Sequence, residues 1–188
     1  MLYIEDRLYD FDLQHALTDI SEQRREQALR YKYELGQRTC VLAYLLLKRA
    51  LLSEYGLDGN PLFCYGPHGK PYIVGHPDIH FNLSHCRQAV ACVVDTRPVG
   101  VDVESRGRYK ESLARYTMND DEQHRISTAS DPALEFTKLW TMKEALLKLV
   151  GTGLRDNIRD VLDDAQRYHF STTLDTAGHY VCTVCSAL

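Results

Sequence analysis

The chemistry this sequence could perform rests on a few charged side chains at telling spacings. In Val99-Gly100-Val101-Asp102-Val103-Glu104-Ser105, two carboxylates stand two residues apart. The valines predict a strand, in which Asp102 and Glu104 share one face while Val101 and Val103 point into a core. Adjacent carboxylates repel. An edge strand relieves this with water, the commoner case, whereas a hard cation such as Mg²⁺ relieves it better, taking oxygen ligands that it shares with waters and phosphate oxygens. Further along, Glu144 and Lys148 are one helical turn apart in the stretch from Phe136 to Leu154. Glu144 would be a third carboxylate, and Lys143 and Lys148 would offer two cations to a phosphorylated ligand. Those are the parts of a phosphoryl-transfer site.

These residues need elements to hold them. In Phe136–Val150 the residues Phe136, Leu139, Trp140, Met142, Leu146, Leu147, Leu149 and Val150 gather on one arc of a helix, with Thr137, Thr141, Glu144 and Lys148 on the other. Gly151 and Gly153 stop it. Its apolar arc is expected to pack on a sheet. Lys143 falls within that arc, so its ammonium must snorkel to solvent or reach an anion beside the core. Upstream, the alternation in residues 2–11 predicts an opening strand and residues 12–31 read as helical, with Arg24, Arg25, Arg30 and Lys32 forming a loose basic cluster. A clearer helix runs from Glu34 to Tyr55 and ends at Gly56. Strand-like runs follow at 61–65, 70–75 and 78–95, broken by the turns at 66–69 and 95–98. Residues 105–131 are charged and sparsely apolar, predicting a short helix or two with loops. Residues 161–175 and 179–187 read as a final pair of strands.

The 188-residue chain is 44% hydrophobic and 26% charged, with a net charge of −4, enough to bury a sizeable core. This mild acidity without a long Lys/Arg run argues against nucleic acid as a partner. The absence of an export leader or an apolar run near roughly twenty residues predicts a cytoplasmic protein without membrane attachment. Six scattered cysteines suit that compartment. Cys182 and Cys185 form a C-x-x-C, but on a strand they face opposite ways and no second pair offers zinc spacing.

At an offset of 95 residues, Lys48, Ala50, Leu51, Leu52 and Gly56 match Lys143, Ala145, Leu146, Leu147 and Gly151. Each helix is also followed by strand-like runs. An α+β fold of two similar halves is expected, residues 1–98 and 99–188, forming a pseudo-dimer with a ligand cleft between them. In the first half, Lys70 on a turn and Asn82, Ser84 and His85 at a strand end are read as contacts to a phosphate-bearing ligand.

Taken together, Gly69-Lys70-Pro71, Phe81-Asn82-Leu83-Ser84-His85, Gly100-Val101-Asp102-Val103-Glu104, and Trp140-Thr141-Met142-Lys143-Glu144-Ala145 with Lys148 and Gly151-Thr152-Gly153-Leu154 resemble the ordered motifs of the 4′-phosphopantetheinyl transferases, in their Sfp-like class. The resemblance spans nearly the whole chain. It implies an enzyme that moves the phosphopantetheine arm of coenzyme A to a serine of an apo acyl or peptidyl carrier protein, leaving adenosine 3′,5′-bisphosphate. It also implies a monomer with internal pseudo-twofold symmetry and a site between its halves.

Position by position, Asp102, Glu104 and Glu144 resemble the family's Mg²⁺ ligands, with Mn²⁺ as a substitute. By the same resemblance Glu144 would also be the catalytic base for the carrier serine, directly or through water. Lys148 is similar to the lysine that steadies a bridging or leaving phosphate oxygen, and His85 to a phosphate-contacting histidine. Lys70, Ser84 and Asp102 would belong to the coenzyme A pocket. Arg38 resembles the ligand of the 3′-phosphate, joined by Arg24 or Arg25. Cys86-Arg87-Gln88 stands where the family often has a glycine, so the loop after His85 departs from the pattern. Residues 105–131 are the expected carrier-docking region. If Arg38 holds the 3′-phosphate, Arg38→Ala will weaken binding of coenzyme A far more than that of 3′-dephospho-coenzyme A in parallel calorimetric titrations; equal losses would remove the assignment.

Overall fold

The computed structural model describes residues 1–153 and 158–188. Its elements are, in order, β1 (Leu2–Glu5), α1 (Leu13–Thr18), α2 (Glu22–Leu29), α3 (Glu34–Tyr55), β2 (Phe63–Tyr65), β3 (Pro71–Ile73), β4 (His80–His85), β5 (Val90–Asp95), β6 (Val99–Ser105), α4 (Glu111–Thr117), α5 (Asp120–Thr128), α6 (Pro132–Val150), β7 (Tyr168–Leu174) and β8 (Tyr180–Ala187). The fold is mixed α+β. Among the described residues, no helix is long and apolar enough to cross a membrane.

Two three-stranded antiparallel sheets form the centre, in orders β1-β5-β4 and β6-β8-β7. Strand β5 reads Val-Ala-Cys-Val-Val-Asp and is buried on both faces. Val90, Cys92 and Val94 pack beneath α3 with Leu42, Leu46, Leu47 and Ala50. Ala91 and Val93 face the other way, onto Val99, Val101 and Val103 of β6. The period of two thus assigns alternate residues to two cores, and small Ala89 and Ala91 let the second come close.

Helix α3 ends at Gly56, whose φ of 66° is the left-handed conformation that glycine adopts freely. Its N–H bonds to the Leu52 carbonyl, and that of Leu57 to the Leu51 carbonyl. Helix α6 starts four residues before the apolar periodicity does. The Asp131 side chain accepts from the Leu134 N–H and Pro132 occupies the first turn, a start signal stronger than the hydrophobic pattern.

Two further expectations need correction. Residues 12–31 form α1 and α2 rather than one helix, because Asp12 caps one start and Ser21 the next. Only Tyr168–Leu174 of the expected strand at 161–175 is a strand, since the acidic stretch before it makes tight 3₁₀ turns. Residues 105–131 do form short helices, α4 and α5, the latter opened by a capping box between Asn119 and Glu122.

The packing of α6 differs most from its helical wheel. Phe136, Leu139 and Trp140 pack against Ala114, Met118 and Ile126 of the α4–α5 region, not on a sheet. Leu146 and Leu149, further along the apolar arc, do pack on the sheet against Cys185, Tyr168 and Phe170, and they share it with the polar arc: Thr137 and Thr141 are fully buried, and Thr141 shares a 2.7 Å hydroxyl bond with Thr183 of β8. Short hydroxyls bring the helix closer to the strands than leucines would. Lys143 finds its anion: fully buried, it donates to Glu122 Oε2 at 2.8 Å and to the carbonyls of Ile158 and Arg159 at 2.9 and 2.6 Å. Burial pulls its pKa down, opposed by the Glu122 carboxylate.

Gly100 is where β6 meets α6. A Cβ there would lie 2.6 Å from the Leu149 nitrogen and closer still to the Ala145 carbonyl oxygen, both backbone atoms that cannot turn aside. Gly100→Ala should lower unfolding free energy by roughly 1–3 kcal/mol or more, read from urea denaturation. An unchanged midpoint would show that the contact is not tight.

Candidate active site

The site is built on an open strand edge. On one side β6 pairs with β8; on the other it pairs with no strand among the described residues. Side chains of β4 take that place: Asn82 Oδ1 accepts from the Val101 N–H at 3.1 Å, and Ser84 Oγ accepts from the Val103 N–H at 3.2 Å. Both side chains are buried, and their i,i+2 spacing matches the two N–H groups they serve.

Ser84 has a further task. Its hydroxyl donates to Asp102 Oδ1 at 2.8 Å and accepts from Lys148 Nζ at 2.9 Å, while Lys148 also donates to Asp102 Oδ1 at 2.7 Å. One donor and two acceptor positions are all that a hydroxyl has, so Ser84 is saturated. Three elements distant in sequence therefore meet at Asp102. Its second oxygen, Oδ2, is buried with no hydrogen-bond partner among the described residues. A bare buried carboxylate oxygen is costly, and it is the kind of atom a cation would satisfy.

Glu144 follows on α6. Its pKa is raised by burial and then by Asp102, with a smaller push from Glu104; Lys148 and Arg108 pull the other way. The three carboxylates thus feel one another. Glu104 is turned aside, however, accepting from Arg108 Nη1 at 2.5 Å and from the Ser105 N–H at 3.0 Å. Among the described residues no three acidic, histidine or cysteine side chains are gathered closely enough to hold an ion as they stand.

An open pocket lies beside this junction, lined by His68, Lys70 and Pro71 on one side and by Glu144, Leu147, Lys148 and Gly151 on the other, with Asn82 and Leu83 between. Lys70 reaches across to donate to the Leu149 carbonyl at 2.7 Å, at the negative end of α6, and burial lowers its pKa.

The family model of the 4′-phosphopantetheinyl transferase superfamily matches residues 98–185, the stretch that carries Asp102, Glu104, Glu144 and Lys148. A 4′-phosphopantetheinyl transferase of Bacillus subtilis is 27% identical over 99% of this chain and 90% of its own length. The transferase Sfp of Bacillus subtilis strain 168 is 28% identical, over 81% of this chain and 70% of that protein. The transferase psf-1 of Bacillus pumilus is 32% identical, over 72% and 59%. The chain belongs to the 4′-phosphopantetheinyl transferase family, and to its Sfp-like class.

Of the motif residues of this transferase, the structure joins Ser84, Asp102 and Lys148 directly, with Glu144 on the same pocket and Lys70 across it. Leu154 lies outside the described residues. Arg38 stands apart. It lines a separate depression at the head of α3, where Nε donates to Glu34 at 2.7 Å, Nη1 to the Phe11 carbonyl at 3.0 Å, and the guanidinium lies over the rings of Tyr9 and Phe11. Arg24 is buried, donating to the Cys40 carbonyl and to Gln27 over the ring of Tyr44. Cys182 and Cys185 enter different cores, as their spacing on a strand predicts.

Sequence reasoning missed three partners. Asn82 as a replacement strand edge was open to inference from its spacing to Ser84. Arg108 stands four residues after Glu104, a spacing that signals a partner only on a helical turn. Glu122 as the anion for Lys143 left no local signal at all.

His85 is exposed at the end of β4, yet its pKa is lowered by desolvation of the ring and then by the charges of Lys148 and Arg24, with Asp102 opposing. The folded imidazole stays neutral where an unfolded one, with its ordinary value of 6.5, takes a proton. Its contribution is complete above that value and is lost as pH falls toward the folded pKa. Thermal melts at descending pH should show the wild type losing more stability below pH 6.5 than His85→Gln does; parallel curves would refute this.

Proposed function

We propose that this transferase works between two α+β halves, residues 1–98 and 99–188, moving the 4′-phosphopantetheine arm of coenzyme A to a serine hydroxyl of an apo acyl or peptidyl carrier protein. The observation that carries the reading is the meeting of Ser84, Asp102 and Lys148 beside a pocket that also contains Glu144 and Lys70. Support for a pseudo-dimer comes from the likeness of the halves. Each has a three-stranded antiparallel sheet and a long helix ended by a left-handed glycine, Gly56 or Gly151. The protein acts in this reading as a cytoplasmic monomer.

Asp102, Glu104 and Glu144 would hold Mg²⁺, or Mn²⁺ in its place. Their oxygen chemistry suits such an ion, and the partnerless Asp102 Oδ2 and the raised pKa of Glu144 both speak for a missing cation. When bound, the ion would neutralise charge on the pyrophosphate.

The remaining steps fall to side chains. The serine hydroxyl attacks the β-phosphorus of coenzyme A; the new P–O bond joins carrier to phosphopantetheine as the bond to the bridging oxygen breaks, and adenosine 3′,5′-bisphosphate leaves with that oxygen. Glu144 takes the serine proton, directly or through one water. Lys148 donates toward the departing oxygen. His85, neutral, offers an N–H to a phosphate, and Lys70 and Ser84 belong to the wall that receives coenzyme A. Arg38, already oriented by Glu34 and by two rings, meets the 3′-phosphate, with Arg24 adding charge nearby. Helices α4 and α5, with Tyr116 exposed on α4, would receive the carrier.

Incubating the enzyme with coenzyme A, Mg²⁺ and a panel of apo-carriers, read by intact mass, should add one phosphopantetheine unit to a carrier. A coenzyme A-binding protein would leave the mass unchanged, and a phosphohydrolase would release phosphate without a carrier. Glu144→Gln should slow the transfer by roughly 10²–10⁴-fold. Near-normal turnover by that variant would remove Glu144 from the reaction.

A further inference from the structure

Arg108 sits where the metal reading needs an empty carboxylate. It follows β6 at the end of a 3₁₀ turn, Arg106–Arg108. From there Nη1 donates to Glu104 Oε2 at 2.5 Å, while the guanidinium carbon lies 4.6 Å from the ring centroid of Trp140 on α6. Glu104 is largely buried, whereas the Arg108 side chain keeps about half of its exposure, 47%. The turn is anchored through its other arginine: Arg106 pairs with Asp131, the cap of α6, and donates to the Gly178 carbonyl at 3.2 Å. Between them, Gly107 has open space where a Cβ would be. Arg108 can leave Glu104 without undoing the turn.

We infer that Arg108 is a stand-in cation that holds Glu104 in the metal-free enzyme and gives it up, swinging off Trp140, when a divalent ion binds. This rests on the proposal that Asp102, Glu104 and Glu144 hold that ion. Coulomb's law supplies the reason for the exchange. Without a metal, neighbouring carboxylates repel, and two protein cations relieve them, Lys148 on Asp102 and Arg108 on Glu104. A divalent ion puts twice the charge in one place and needs the oxygen that Arg108 occupies. Lys148 is held by Ser84 as well, so Arg108, the more exposed of the two cations, is the one to move.

Trp140 is the chain's only tryptophan, so its emission reports directly on the guanidinium above it. The experiment titrates the full chain, without coenzyme A, with Mg²⁺ while following Trp140 emission, and measures Mn²⁺ binding independently from the resonance of the free aquo ion. In the wild type, emission should change with Mg²⁺ and saturate. In Arg108→Ala it should be insensitive to Mg²⁺, while Mn²⁺ binds roughly 2–5-fold tighter, the effect of losing a half-exposed competing ion pair. Glu104→Gln, which frees Arg108 by another route, should shift emission in the absence of metal toward the metal-saturated wild-type value. Arg115→Ala removes one charge from an exposed pair with Glu111 on α4 and should leave both readouts as in the wild type, separating local exchange from net charge. If Mn²⁺ binds the wild type and Arg108→Ala equally well, or wild-type emission ignores Mg²⁺ while Mn²⁺ binds, the exchange is overturned and the metal site survives. If the wild type binds no Mn²⁺, both fall.

Discussion

The structure depends on how the open edge of β6 is closed. A strand edge buried without partners leaves N–H groups that cost free energy, and ordinarily another strand answers them. Here the side chains of Asn82 and Ser84 do so from β4. The acceptor must sit within two bonds of Cβ, which restricts the residue types that can serve. Because Ser84 accepts from β6, its single proton is left for Asp102, and that proton orients the carboxylate. The direction of Asp102 is thus set by the same bonds that join the two sheets. Site geometry and sheet packing are one constraint.

Helix α6 is held in rotation from two sides. Gly100 and the Thr141–Thr183 bond fix one face on the sheet. Lys143 fixes another, buried in a cage of Glu122 and two carbonyls. A buried ion pair adds little net stability over apolar packing, yet breaking one costs several kcal/mol, roughly 3–5. Its effect is to forbid other rotations of the helix. With those two faces settled, Glu144 and Lys148 can point only toward the seam.

Much of this was legible in the sequence, and the losses have physical causes. Both long helices could be read because leucine periodicity and a terminal glycine are local signals. Strands β5 and β6 showed in their valines, and the carboxylates of Asp102 and Glu104 in their spacing. The faces of α6 were only partly assigned: Leu146 and Leu149 do meet the sheet, but a wheel ranks side chains by polarity, whereas the sheet also took short Thr141 for close approach and α4 with α5 received Phe136, Leu139 and Trp140. The opening of α6 was missed because Asp131 acts by accepting from a backbone N–H and Pro132 by its fixed φ, neither through hydrophobicity. Glu122 could not be found because the pairing with Lys143 exists only after α5 folds back on α6.

The hairpin of β2 and β3 gives the pocket an uneven mechanics. Two strands alone are marginal in water, and this pair relies on Phe63 stacked on Phe81 at 5.3 Å and on buried Ile73 to join the core under α3. Its tip at 66–70 has much less holding it down. Lys70 crosses to one carbonyl at the end of α6, where the bare Cα of Gly151 leaves room for its stem. Opening the tip means giving up that bond; opening the opposite side means separating two sheets. Local opening free energies follow such differences. The pocket has one stiff wall, carrying Glu144 and Lys148, and one soft wall, which can yield while those charges stay in place.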